Sequence, residues 1–166
     1  VQHTIPLDEI FSGGPPKDGI PSLDSPQFMD PADVPEDWND FQGILLSIGE
    51  DTRFYPFNIL NWHEIVNDTV GGVPVSVTYC PLCASAVVYD RTTSQGLDTL
   101  GVSGFLYQSN LLMYDRATDP LWDQAKGESV VGSLTGEKLN RRASDIVSVA
   151  IVREEWPNAR VLSTVT

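Results

Sequence analysis

NWHEIVNDTVGGVPVSVTYCPLCASAVVYD, residues 61–90, is the stretch from which the rest of the chain is read. Within it Val73, Val75 and Val77 alternate with Pro74, Ser76 and Thr78 after the Gly71-Gly72 break. That period of two predicts a strand with one buried face, and Pro74 suits an edge or a first position. The strand delivers Cys80 at its end, residues 86–90 read as a second strand, 91–96 as a turn and 97–102 as a third. Strand, loop and strand make a scaffold, and the loop carries C-P-L-C.

Upstream, Ile44, Leu45, Leu46 and Ile48 lead through Gly49-Glu50-Asp51 to residues 52–55, a hairpin pattern. Pro56 is a good first helical residue, so residues 57–64 form one or two helical turns that end near Trp62 and His63. Residues 1–40 hold Pro15, Pro16, Pro21 and Pro26, which deny helix, with Gly13, Gly14 and Gly19 for turns. They read as an extended N-terminal arm pinned to the body by Ile5, Leu7, Ile10, Phe11, Ile20, Leu23 and Phe28. Residues 41–166 read as one α+β domain.

Downstream, residues 104–116 are apolar at nearly every position, which periodicity alone does not assign to strand or helix, and Asp119 and Pro120 end the run. Gly132 and Gly136 mark a hairpin, and Ser144 and Asp145 cap a helix over residues 146–156 before a last strand at 160–164. The expected fold is a strand-rich α+β single domain of about eight short strands and about two or three short helices, with a partly open barrel as one arrangement.

A chain of 166 residues buries a core without disulfides or metal. Its formal net charge of -13, from 23 acidic and 10 basic side chains, is spread along the sequence. Such a surface repels phosphate backbones, which argues against a nucleic-acid partner; it serves solubility first, then saline adaptation or attraction of cations. No apolar run approaches the roughly 18 residues of a membrane span. The opening valine is what a mature exported protein or a trimmed chain shows. A secreted, periplasmic or extracellular location is oxidising and would let the two cysteines bridge. Asn67, Asp68 and Thr69 form a glycosylation sequon, which matters in a eukaryotic host.

Cys80 and Cys83 are the only cysteines and His63 is one of two histidines, so soft-metal or thiol chemistry belongs here. A C-x-x-C turn brings two thiolates to tetrahedral spacing on one metal, and His63 supplies a third ligand. Met113, or a carboxylate such as Glu64, is the candidate fourth. Sulfur ligands select copper(I), zinc or iron, and the expectation is one copper, or one zinc, in a mononuclear site. Such a protein works in electron transfer, oxidoreductase catalysis or metal handling, with a redox or metal-delivery protein as partner.

Two other readings stand beside it. A strand feeding C-P-L-C imitates thioredoxin, but ASAVVYDRTT is a poor helix, so thiol–disulfide exchange would run on another fold. The third reading is a structural disulfide or buried thiols in a non-catalytic, partner-binding domain, with His63 satisfied in the core. Tyr107, Gln108, Ser109 and Asn110, with Trp122, Asp123 and Gln124, form a candidate wall of a cleft over the sulfurs. Asn61, Asn67 and Asp68 are candidates to orient His63, with Trp62 and Glu64 beside them. The pairs Glu154–Glu155 and Asp115–Asp123 read as solvated surface charges, and the four tryptophans as core or rim packing. The chain has no G-x-S-x-G, P-loop or dinucleotide fingerprint.

Three blocks, GGPPKDGIPSLDSPQF, YPFNILNWHEIVNDTVGGVPVSVTYCPLCASAVVYDR and GVSGFLYQSNLLMYDRATDPLWDQ, resemble a DUF3179-like family of secreted prokaryotic proteins known as a domain of unknown function. The resemblance runs from about Ile5 to Leu139. It implies one exported domain marked by Asn61 to Glu64, Cys80, Cys83 and the segment from Tyr107 to Trp122, and it lends no activity. The C-terminal part departs, reading SDIVSVAIVREEW where the resemblance implies a tryptophan-rich helix.

Overall fold

β-branched and aromatic runs separated by glycine-bearing turns decide the architecture. The computed structural model describes residues 2–117 and 120–164, and the turn expected at Asp119 lies outside them. The strands are β1 (Ile10–Ser12), β2 (Phe28–Met29), β3 (Gln42–Ile48), β4 (Asp51–Pro56), β5 (Ile65–Val70), β6 (Val73–Cys80), β7 (Ser85–Asp90), β8 (Thr92–Thr93), β9 (Gly96–Leu97), β10 (Leu100–Tyr107), β11 (Asn110–Asp115), β12 (Leu121–Asp123), β13 (Glu128–Val131), β14 (Arg141–Arg142), β15 (Asp145–Ser148) and β16 (Arg160–Leu162). Two helices join them, α1 (Phe57–His63) between β4 and β5, and α2 (Val149–Glu155) between β15 and β16. The strand count exceeds the expected one because many strands are two or three residues long.

Among the described residues the strands form three main sheets and a small β8–β9 ladder, and none of them closes into a barrel. A four-stranded sheet, β14-β7-β6-β5, lies in the middle. Val75, Val77 and Tyr79 on one face of β6 pack with Ile44, Leu46 and Tyr55 of the sheet β15-β3-β4-β16-β2 and with Leu60 of α1. On the opposite face Ile65, Cys80, Val87 and Tyr89 pack with Leu100, Val102, Leu111, Met113 and Trp122 of the sheet β1-β10-β11-β12-β13. The outer face of the β3–β4 sheet is covered by α2, through Val149 and Val152 against Leu45, Phe54 and Val161.

This layering corrects several expectations. β6 is buried on both faces, from Val75 to Cys80, because sheets cover it on either side. β5 was hidden by its polar centre: Asn67 and Asp68 are buried and bonded. Asn67 donates to Asp24 and the Leu100 carbonyl and accepts from Ser76 and the Leu100 amide, so the sequon asparagine is a core residue. Asp68 accepts from Arg53 at 2.9 Å and from the Tyr55 hydroxyl at 2.7 Å, which leaves neither residue free to orient His63.

At the C-terminal end, Ile146 is drawn into β15 opposite Ile44, so the helix starts at Val149. Its cap is Ser148, whose hydroxyl accepts from the Ile151 amide, in place of Ser144 or Asp145. Between Gly132 and Gly136 the chain makes a tight turn closed by the Gly136 amide on the Ser129 carbonyl rather than a two-stranded hairpin. The arm joins the sheets through β1 against β10 and β2 against β16, pinned by Leu23 while Leu7 and Phe11 face outward. It crosses β10 at Gly104, where a bulge breaks the register. With φ at +83° and the Pro15 carbonyl 2.5 Å from where a Cβ would sit, that position admits only glycine.

Candidate functional site

The C-P-L-C segment is a hairpin loop. β6 and β7 pair Cys80 with Ser85, so residues 81–84 close the turn, with Ala84 held at φ 51°. No helix follows the first cysteine; β7 starts at Ser85. Cys80 points into the core at 2 % exposure, Cys83 stands at the surface, and the two are not bridged.

Cys83 opens onto a cavity of about 210 Å³ lined by Ser85, Tyr107, Gln108, Asn110, Asp123 and Lys126 among others. Its thiol donates to Asn110 Oδ1 at 3.4 Å. The Asn110 amide donates in turn to Asp123 at 2.9 Å, and Asp123 also accepts from the Ala125 and Lys126 amides. The buried carboxylate thus fixes the amide, aiming its oxygen at the thiol. A carbonyl oxygen can only accept, so it favours the protonated sulfur. Burial, then a hydrogen bond shared with Cys80, push the Cys83 thiol up to about 11. A helix N-terminus would act in the opposite sense, and the loop lacks one.

The facing hairpin is equally particular. Tyr107 pairs with Asn110 across a two-residue turn in which Gln108 and Ser109 have φ of 51° and 61°. Two left-handed residues make the turn type that suits strand twist, but Asn-Gly is its usual sequence. Lacking that signal, the turn between these apolar strands has no local mark in the sequence. Ser85, Lys126 and the amides that hold Asp123 were likewise invisible to spacing.

The other expected ligands lie apart. Among the described residues no three of His, Cys, Asp or Glu are grouped to hold a metal, so His63 does not join the cysteines. Its Nδ1 is 2.9 Å from the Pro21 carbonyl, an acceptor, which makes Nδ1 the protonated nitrogen. His63 lines a separate cavity of about 250 Å³ with Asn58, Ile59, Thr164 and Trp62, and Trp62 is 75 % exposed, outside the packing expected of it. Met113 is fully buried in the cluster that holds Cys80, opposite Val102 and Trp122. Trp122 is core, its indole N–H donating to Asp115 at 2.8 Å. Asp115 and Asp123 are therefore buried members of polar networks, not solvated charges.

On the other side of the C-P-L-C loop, Pro81 and Leu82 wall the second cavity that borders this loop, of about 320 Å³. Asn61 and Glu64 reach it from the end of α1, amid Ile20, Val102, Leu106 and Leu111. Glu64 follows the last helical residue with φ 63°, and burial raises its carboxyl to about 7.

The model of one protein family, described as "Protein of unknown function (DUF3179)", matches residues 17–166. The chain belongs to that family. The match takes in the C-P-L-C loop and the two cavities that border it, apart from Gly13 and Pro15 in the lining of the larger, and it extends through the C-terminal helix and β16. No curated protein and no solved structure matches the chain.

Proposed function

We propose that this DUF3179 member is a dithiol–disulfide redox protein that works through Cys80 and Cys83. The observation that carries the reading is the pair of unbridged cysteines, one at the surface and one beneath it, on a hairpin loop short enough to close, with the Cys83 thiol directed at the Cys80 carbonyl at 3.9 Å. Closing the Cys80–Cys83 bond releases two electrons and two protons. A partner protein's disulfide takes them up and opens to two thiols. The exposed Cys83 sulfur is where the mixed disulfide forms, and Cys80 resolves it.

The electrostatics set the direction. Oxidising C-x-x-C pairs are oxidising because their thiolate form is stabilised. Here burial disfavours the Cys83 thiolate, so the reduced form gains nothing from thiolate stabilisation and on this reading the pair is reducing. An exported location belongs to the same proposal, supported by the resemblance to secreted proteins; there the pair would rest as a disulfide.

A second reading, one copper(I) or zinc held by Cys80 and Cys83, draws support from the same basicity, since a thiolate that binds protons tightly is a strong donor to a soft cation. Equilibration with dithiothreitol and its oxidised form, followed by alkylation and mass spectrometry, tests the first reading. The expected result is a single two-electron couple more reducing than about -200 mV. Two thiols that never bridge, together with stoichiometric copper(I) uptake, would transfer the site to the second.

A further inference from the structure

The cavity beside Glu64 contains neither thiol, although Pro81 and Leu82 of the C-P-L-C loop wall it. We propose that it binds a small organic cation, a primary amine with an apolar body, whose ammonium group pairs with the Glu64 carboxylate. At about 320 Å³ it has room for about ten heavy atoms, at about 30 Å³ each. Ile20, Leu82, Val102, Leu106 and Leu111 offer the body a hydrocarbon surface. Among the described lining residues Glu64 alone is ionisable, with the Asn61 amide as the second polar group.

Three features make a carboxylate at this position costly, and each is independent of the others. No donor or cation among the described residues partners the Glu64 side chain, and burial alone displaces its ionisation. It stands at the C-terminal end of α1, where the helix dipole opposes negative charge. Its backbone occupies the left-handed region, where helices ordinarily place glycine. Leucine or glycine would relieve one or more of these costs. A cation entering the cavity relieves the first two together, because its charge replaces the missing partner. The formal net charge of -13 also draws cations and repels anions before contact.

The test uses the whole chain with both cysteines reduced, at pH 7.5, titrated with benzylamine, benzyl alcohol and phenylacetate and followed by amide chemical shifts. Benzylamine should saturate with shifts at Asn61, Glu64, Leu82 and Val102, at least tenfold more tightly than the isosteric alcohol, while phenylacetate should not bind. Glu64→Gln should reduce the amine to the alcohol's affinity. Val102→Phe, which fills the cavity and keeps the carboxyl, should abolish both. Equal binding of amine and alcohol, binding of phenylacetate, or amine binding that survives Glu64→Gln would each overturn the proposal.

Discussion

Replacing Glu64 by glutamine should stabilise the protein at alkaline pH and leave it unchanged at acid pH. Moving a carboxyl from about 4.3 to about 7 sets a ceiling of about 3.7 kcal/mol on what its ionisation costs the fold. Glu64 is only partly buried, and solvent screening brings the figure to about 1–2 kcal/mol. The sign follows from proton counting. Between about 4.3 and 7 the unfolded chain has released this proton and the native chain has kept it, so native stability falls as pH rises through that window. Above it the loss is complete and constant.

Glutamine has the shape of the protonated acid and never ionises. Urea unfolding of both proteins should therefore give equal free energies near pH 3, below both ionisations, and a gap of about 1–2 kcal/mol, in favour of the variant, at pH 8. Comparing the two chains at each pH cancels every other titrating group. A gap that did not change with pH would refute the reasoning, and so would a variant less stable at pH 8, because Glu64 would then have a favourable partner. A gain in stability from removing a side chain that faces a cavity is the signature of a residue kept for something other than folding.

Three further outcomes are expected. In the reduced protein at pH 7, Cys83 should react with iodoacetamide about thirtyfold more slowly than glutathione: about one thiol in 10⁴ is ionised against about 3 % of ordinary ones, and greater thiolate basicity returns about tenfold. The rate should climb about tenfold per pH step until it levels near 11, and a reaction as fast as that of glutathione would contradict the burial of the proton. Asn67→Ala strands the Ser76 hydroxyl and both Leu100 backbone groups in the core and should cost about 3–4 kcal/mol in chemical unfolding; a loss below about 1 kcal/mol would mean that water replaces the amide. Met113→Leu conserves volume in the core and should cost less than about 1.5 kcal/mol while leaving the redox midpoint of Cys80–Cys83 in place, whereas a shifted midpoint would put the thioether against a sulfur.

What the sequence disclosed, it disclosed through period and punctuation. The β3–β4 hairpin, α1 behind Pro56, and the β6–β7 pair around C-P-L-C all follow from apolar spacing and turn residues. β5 escaped because its Asn-Asp-Thr centre looks like a surface loop; only the fold reveals that Leu100, Ser76, Arg53 and Tyr55 wait to satisfy those side chains. The site divided in the same way. Cysteine scarcity pointed to the loop, and polar residues in an apolar run pointed to Tyr107 and Asn110, which do line the cavity at Cys83. His63 was drawn in by residue type alone. Its direction is set by the end of α1 and by the Pro21 carbonyl, neither of which has a local signal.

Backbone strain ties the two cavities together. Among the described residues five that are not glycine adopt positive φ, and four of them, Glu64, Ala84, Gln108 and Ser109, surround the C-P-L-C loop. Such conformations cost of order 1–3 kcal/mol each and persist only where packing enforces them. Here each strained residue aims a neighbour. Ala84 carries the chain from Cys83 into β7, Gln108 and Ser109 bring Asn110 to the thiol, and Glu64 carries its own carboxyl into the second cavity. Pro81 and Leu82 face that cavity while Cys83, one residue on, faces the other. Under the redox role proposed, closing a Cys80–Cys83 disulfide would reshape the turn that holds Leu82, so that binding beside Glu64 and the redox state of the pair would be coupled through one short loop. The coupling is reciprocal: an amine that prefers the dithiol form must make the midpoint more oxidising by the same factor by which reduction tightens its binding.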